Sequence, residues 1–410
     1  MPIGIWLRIA LAAVVGIVGL VALPHWHTQE PTGDYLAVAL FAAYDRTAEE
    51  TMQFTEEADW IIADMNREGE MLSGLAGYAL QFKYKVGADG LSAALILLTA
   101  LISVMAALAA VHIKKRWKTF YILFLILMVG MFGVFAARDL FLFFVFFELT
   151  LVPMFFLIGI WGFNDREKAA VKFLIYNGIG SALMLIAFLI IVITAGFAIV
   201  EPDGGRPLGM YTADIDVISA NLADESGYVN SPGAIWPGVA NPFYLSEGMA
   251  WLVFILLLIA FGIKLPIFPF HTWMLKVHAE APPSVVMIHS GILLKIGAYG
   301  LIRFGMQFFP EQIETYALLI AVLGVANTMA LSVTERTREL GLLRAVGMSR
   351  AQTRSMIRWE AVIVTSLGVL LGVVLGVVFA WLTARAVPAE IEVLSVPVGR
   401  LAVTVAAGAL

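Results

Sequence analysis

The chain of 410 residues contains no cysteine. That excludes disulfides, thiolate metal sites and iron–sulfur ligation by this polypeptide, so any redox chemistry must happen elsewhere. Charge is also scarce: 14% of residues are Asp, Glu, Lys or Arg, whereas 60% are hydrophobic. A soluble domain carries roughly 25% charged residues, so the composition excludes an ordinary water-soluble fold. The net charge of −5 is uninformative as a sum, though its distribution is useful; no nucleic-acid partner is expected.

What is present is length of apolar sequence. Runs of roughly 20 apolar residues, enough to cross a bilayer, occur near 3–23, 88–110, 118–137, 140–161, 173–200, 249–270, 284–302, 315–333, 357–382 and 393–410. The expected fold class is therefore all-α, a polytopic transmembrane helix bundle of about ten spans. The basic loop 112–118 (HIKKRWK), the loop holding Arg166, Lys168 and Lys172, and the Arg-rich stretch 334–358 fall on one side of such a bundle. The acidic stretches 45–70 and 201–228 fall on the other. The positive-inside rule makes the basic side cytoplasmic. The first run lacks a convincing A-x-A cleavage site and reads as an uncleaved anchor.

Three divisions are expected. Residues 1–87 hold the anchor helix and an acidic outer-face segment with an amphipathic helix. Residues 88–320 form the helical core, interrupted by a Gly/Pro/Asn/Asp-rich loop over 201–242. In residues 321–410 Arg becomes frequent and the apolar residues turn to Val, Leu and Gly.

Three charges sit where they are expensive. Glu148 lies at the middle of DLFLFFVFFELTLVPMFFLIGIW (139–161), Lys264 inside LLLIAFGIKLPIFPF, and Lys295 inside SVVMIHSGILLKIGAYGL. An ionised side chain at the centre of a membrane helix costs about 2.5–3.5 kcal/mol on insertion scales. A structural ion pair or a snorkelling side chain is the plain explanation; a proton or cation relay is the functional one. The setting of Lys264 favours the relay, because Pro266 and Pro269 each remove an amide donor and break the helix near Lys264–Pro269. Gly262 and Pro153 allow both helices to bend, a feature equally common in purely structural kinks. His271, just past the break, is a candidate intermediate proton carrier, whereas His278 and His289 read as structural histidines.

The blocks GADGLSAALILLT, ARDLFLFFVFFELTLVPMFFLIGIWG, EKAAVKFLIYNGIGSALMLIA and FGIKLPIFPFHTWMLKVHAEAPPSVVMIHSGILLKIGAYGLIRF, over about residues 80–320, together resemble the antiporter-type membrane subunits of respiratory complex I, most closely subunit M (chain 4). The resemblance implies proton translocation, with Glu148 pairing with Lys264, Lys295 as central relay and His271 along the same hydrated path. It further implies a bacterial-type inner membrane location, no cofactor, and partnership with the other membrane and hydrophilic subunits of an NADH:quinone oxidoreductase. That family continues through a second broken helix carrying an exit residue; nothing after LLIAVLGVAN matches it, so the exit half is expected to be missing. Instead, VANTMALSVTERTRELGLLRAVGMSRAQTRSMIRWEAVIVTSLGVLLGVVLGVVFAWL (325–382) resembles the C-terminal segment of FtsX-like or MacB-type ABC permeases. This second resemblance implies a cytoplasmic helix within 334–358 that docks on an ABC ATPase, and the alternative function of an ABC permease subunit. Gly368, Gly372, Gly376 and Ala380 form a small-residue ridge suited to helix packing.

Overall fold

The computed structural model describes residues 44, 52–64, 78–200, 208–233 and 241–316, together with the single positions 320, 349, 352 and 355. The anchor run 3–23, the apolar runs beyond residue 316 and the 334–358 helix expected to dock an ATPase lie outside the described residues. The described residues of Met1–Leu265 and Lys276–Gln312 pack as one compact unit, and those of Pro266–Leu275 and Ile313–Leu410 fall in a second.

Among the described residues, six helices are long and apolar enough to cross a membrane. They are α1 (Gly90–Ala109), α2 (Trp117–Ala136), α3 (Leu140–Trp161), α4 (Arg166–Thr194), α6 (Glu247–Lys264) and α8 (Pro283–Met306). Two short helices lie between them, α5 (Ile215–Ala223) and α7 (Thr272–Glu280). Within the first unit α3 packs on α2 and α4, α4 on α6, and α8 on α1 and α6. Phe143, Phe188 and Phe304 join α3, α4 and α8 at the core, with ring centroids 4.8 Å apart for Phe143–Phe304 and 5.1 Å for Phe188–Phe304. Large apolar side chains such as Leu101, Ile122, Val152 and Ile175 point outward and exposed, as they must when the surrounding solvent is hydrocarbon.

One end of the bundle carries a sheet that composition did not suggest. Strands β1 (Gln53–Asp64), β2 (Tyr78–Ala88), β3 (Phe197–Val200) and β4 (Leu208–Thr212) are ordered β1-β2-β4-β3. β2 pairs antiparallel with β1 and parallel with β4, in the register Tyr78↔Gly209 to Gln81↔Thr212. Over 53–64 and 78–88 the outer-face segment is extended; the apolar patch at 35–44, beside which an amphipathic helix was expected, lies outside the described residues except for Tyr44. Leu80, Phe82, Tyr84 and Val86 alternate with polar residues along β2, the period of a strand with one apolar face. The expected loop 201–242 likewise contains β4 and α5.

Side-chain caps set the helices against this sheet. Asp89 accepts from Ser92 N–H at 2.8 Å to start α1, and Asp139 from Phe141 and Leu142 N–H at 2.8 and 3.0 Å to start α3. These bonds satisfy amides that a helix start leaves without partners. Asp139 also accepts from Lys83 N–H on β2 at 3.2 Å. Around it Lys85 binds Asp214 at 2.8 Å and Asp216 at 2.9 Å, while Arg138 pairs with Asp216. Arg303, near the end of α8, pairs with Asp89. Lys85, Arg138, Arg303, Asp89, Asp214 and Asp216 are thus paired with one another, whereas Asp139 is held by backbone amides. Burial pushes its carboxyl up to about 6, against the pull of its three backbone donors.

Candidate proton-relay site

α3 places Phe147, Glu148 and Thr150 on neighbouring positions around its midpoint, and Pro153 leaves the carbonyl of Leu149 without its helical donor. α6 ends at Lys264 itself, with Leu265 as its cap; the helix break expected between Lys264 and Pro269 is present. Beyond it the chain turns, Phe270 N–H donating to the Ile267 carbonyl at 2.7 Å, before α7 begins at Thr272.

Lys264 is 2% exposed. Its ammonium donates to Thr150 Oγ1 at 3.3 Å and stands 4.5 Å from the centre of the Phe147 ring. The Thr150 hydroxyl proton is already committed to the Phe147 carbonyl at 2.7 Å, so its oxygen presents a lone pair to the lysine. Glu148 interacts with Lys264 electrostatically, yet among the described residues the two form no ion pair within 4.0 Å, and Glu148 Oε1 is buried without a hydrogen-bond partner. A buried ammonium on a neutral hydroxyl and an aromatic face, beside a carboxylate oxygen left open, is an incompletely satisfied arrangement. Its members can exchange a proton after a small movement.

The histidines differ from expectation. His278 and His289, read as structural, come together: His278 Nε2 lies 3.0 Å from His289 Nδ1, the rings perpendicular with centroids 5.1 Å apart. His289 is 0% exposed and within electrostatic reach of Lys264. The only sequence signal for the pair was the presence of two histidines near a broken helix. His271 falls in the second compact unit; its ring stacks on Phe268 with centroids 5.5 Å apart, and its Nδ1 is buried without a hydrogen bond.

Lys295 takes a different setting. It is exposed, and its ammonium donates back to the carbonyls of Gly291 at 2.7 Å and Ser290 at 3.4 Å. These carbonyls belong to a π-helical stretch, His289–Leu293, and a second one, Leu301–Met306, comes later within α8. Among the described residues no side-chain contact links Lys295 to Lys264. No group of three or more His, Cys, Asp or Glu able to hold a metal occurs among them either.

Residues 137–340 match the family described as NADH:quinone oxidoreductase/Mrp antiporter, transmembrane. That segment, 204 of the 410 residues, is what the chain shares with this family. Residues 315–409 match the FtsX-like permease C-terminal family. NAD(P)H-quinone oxidoreductase chain 4 2 of Thermosynechococcus vestitus is 37% identical over 290 residues, 70% of this chain and 46% of its own. NAD(P)H-quinone oxidoreductase chain 4 of Gloeobacter violaceus is 38% identical over 252 residues, 62% of this chain and 41% of its own. The chain thus spans less than half the length of these curated relatives. Among solved structures, respiratory complex I from Thermus thermophilus with bound NADH matches at 25% identity and a TM-score of 0.50, covering 78% of this chain and 57% of the other. The membrane-bound sulfane sulfur reductase, an archaeal respiratory membrane complex, shares the fold with a TM-score of 0.52 at 18% identity, covering 81% of this chain and 47% of the other. The described core is a multi-pass membrane bundle, and the proteins it is similar to belong to multi-subunit respiratory complexes. None of them supports an ABC ATPase as partner.

Proposed function

We propose that the chain is a proton-relaying membrane subunit of an NADH:quinone oxidoreductase-type respiratory complex, held among that complex's other membrane and hydrophilic subunits. In this reading it sits in a bacterial-type cell membrane with the 112–118 and 163–172 loops cytoplasmic. The observation that carries the reading is Lys264: a fully buried lysine at a helix break, opposite the midpoint of α3, next to a glutamate with an open oxygen. In the relay step a protonated Glu148 gives its proton to a neutral Lys264 amine, leaving a carboxylate and an ammonium that Thr150 and the Phe147 ring hold. Lys264 then discharges toward the His289–His278 pair. Lys295 is reached from there through water rather than through a side-chain contact, and His271 serves as the intermediate carrier past the helix break.

The experiment is proton flux in vesicles carrying the chain assembled with the other subunits of its complex and a pH-sensitive dye, under an imposed gradient. Lys264→Met and Glu148→Gln should each abolish the flux. Flux that survives both substitutions would overturn the reading.

A further inference from the structure

β2 and β4 on one side, and the sheet-side ends of α3 and α4 on the other, enclose a cavity of about 400 Å³. It is far from Lys264 along α3, since it reaches only the first two turns of that helix, through Phe141 and Phe144. The strands contribute Leu80 and Phe82, and α4 contributes Leu189 and Ile193. Among the described residues the lining offers a single hydroxyl, that of Tyr211. Water needs two to four polar partners to remain in such a space, more than this lining supplies. An empty cavity of this size forfeits dispersion contacts over its whole lining.

Two observations fix the depth of the cavity. First, it is continuous with the hydrocarbon-facing surface: Leu189 and Ile193 line it and are 51% and 56% exposed, and both lie on a membrane-spanning helix. Second, Trp60 of β1 is 46% exposed with its ring centre 5.9 Å from that of Phe141, at the edge of the cavity. Ile61 and Ile62 beside it are exposed as well. A run of exposed apolar residues led by a tryptophan is unfavourable in water and belongs at the headgroup boundary of a bilayer. The cavity therefore opens into hydrocarbon just inside that boundary.

We propose that this cavity binds one acyl chain of a phospholipid drawn from the leaflet on the sheet side, inserted between β2 and the first turns of α3 beneath Trp60. Bound there, the chain completes the packing between sheet and bundle that the protein's own side chains leave unfilled. The volume falls within the range of built ligand sites, and the site is independent of the proton-relay reading.

The test reconstitutes the full chain in phosphatidylethanolamine nanodiscs doped with a phospholipid carrying a photoreactive diazirine in its acyl chain, with cross-linked peptides located by mass spectrometry. Labelling at Phe141 or Phe144 is expected to saturate as the doped lipid is raised. Labelling at the generally lipid-exposed Ile122 and Ile175 should keep rising in proportion. Leu80→Trp fills the cavity and should remove the saturable labelling while leaving that at Ile122 intact; Ala213→Leu, from the same lining, is the second filling variant should the first not fold. Three results would each overturn the proposal: cavity labelling that never saturates, saturable labelling that survives both filling variants, and labelling lost only when partner subunits assemble over this face.

Discussion

Lys264 Nζ lies 3.3 Å from Thr150 Oγ1 and not within ion-pair distance of Glu148. The lysine is thus held by a neutral acceptor two residues along α3 from the carboxylate, and the charge pair is separated though both groups occupy the same part of the bundle. Separation is useful to a relay, because a tight buried ion pair would trap both charges in one state.

Thr150→Val should leave a buried ammonium without its hydrogen bond at nearly constant side-chain volume. The expected cost is about 1–3 kcal/mol, read as a loss of thermal stability in detergent, with Thr150→Ser recovering most of it. Lys264→Met takes away the cation beside Glu148 and should lower stability while abolishing flux, whereas the double variant with Glu148→Gln removes both charges and should recover stability without recovering flux.

Breaking the His278–His289 contact should show as coupling. In a double-mutant cycle with His278→Ala and His289→Ala, the non-additive part of the stability change should be about 0.5–1.5 kcal/mol, the net value of one hydrogen bond. Additive effects would mean that the 3.0 Å contact contributes no stability.

Asp139 makes the bundle sensitive to pH at its sheet end. Its carboxyl is raised to about 6 by burial, so the folded protein holds that proton more tightly than the unfolded chain. The resulting stability is complete below about pH 4 and is lost as the pH rises through 6, on the order of 3 kcal/mol at most. Asp139→Asn keeps the oxygen that caps α3 and should flatten the stability profile between pH 4 and 6. Thermal unfolding across that range, wild type against variant, is the measurement.

Gly297→Ala tests how closely α8 approaches the end of α6. A Cβ there would stand 2.6 Å from Leu265 N and 2.8 Å from the Phe261 carbonyl, both backbone atoms that cannot swing aside. Destabilisation of about 1–3 kcal/mol is expected from overpacking. Because Leu265 is the residue next to Lys264, proton flux should fall along with it.

Much of this was legible in the sequence, for physical reasons. The six described spans announce themselves by apolar length, and Glu148 and Lys264 by being charges within such lengths. Pro266 and Pro269 announce the end of α6. The sheet was not read because half of it is non-local: β2 pairs with β4 about 130 residues later, Tyr78 with Gly209, and no single-chain periodicity encodes a parallel partner. The alternation of Leu80, Phe82, Tyr84 and Val86 was visible but lay beside acidic sequence that suggested a solvated segment. His278 and His289 sit on separate helices either side of the turn at 281–282, so helical spacing could not pair them. Lys295 was placed by its depth alone, but the π-helical turn at His289–Leu293 adds a residue to the helix and rotates the remainder of α8 by about 100°. The face that Lys295 occupies could not be inferred from α-helical spacing.

The central claim is that Glu148 gains and loses a proton in concert with Lys264. Infrared difference spectroscopy on the full chain in lipid, triggered by a pH jump, reads the protonated carboxyl directly. A carboxyl band is expected that responds to the pH jump, is absent in Glu148→Gln, and is shifted or lost in Lys264→Met. A Glu148 band that ignores pH, or one that Lys264→Met leaves unchanged, would contradict it.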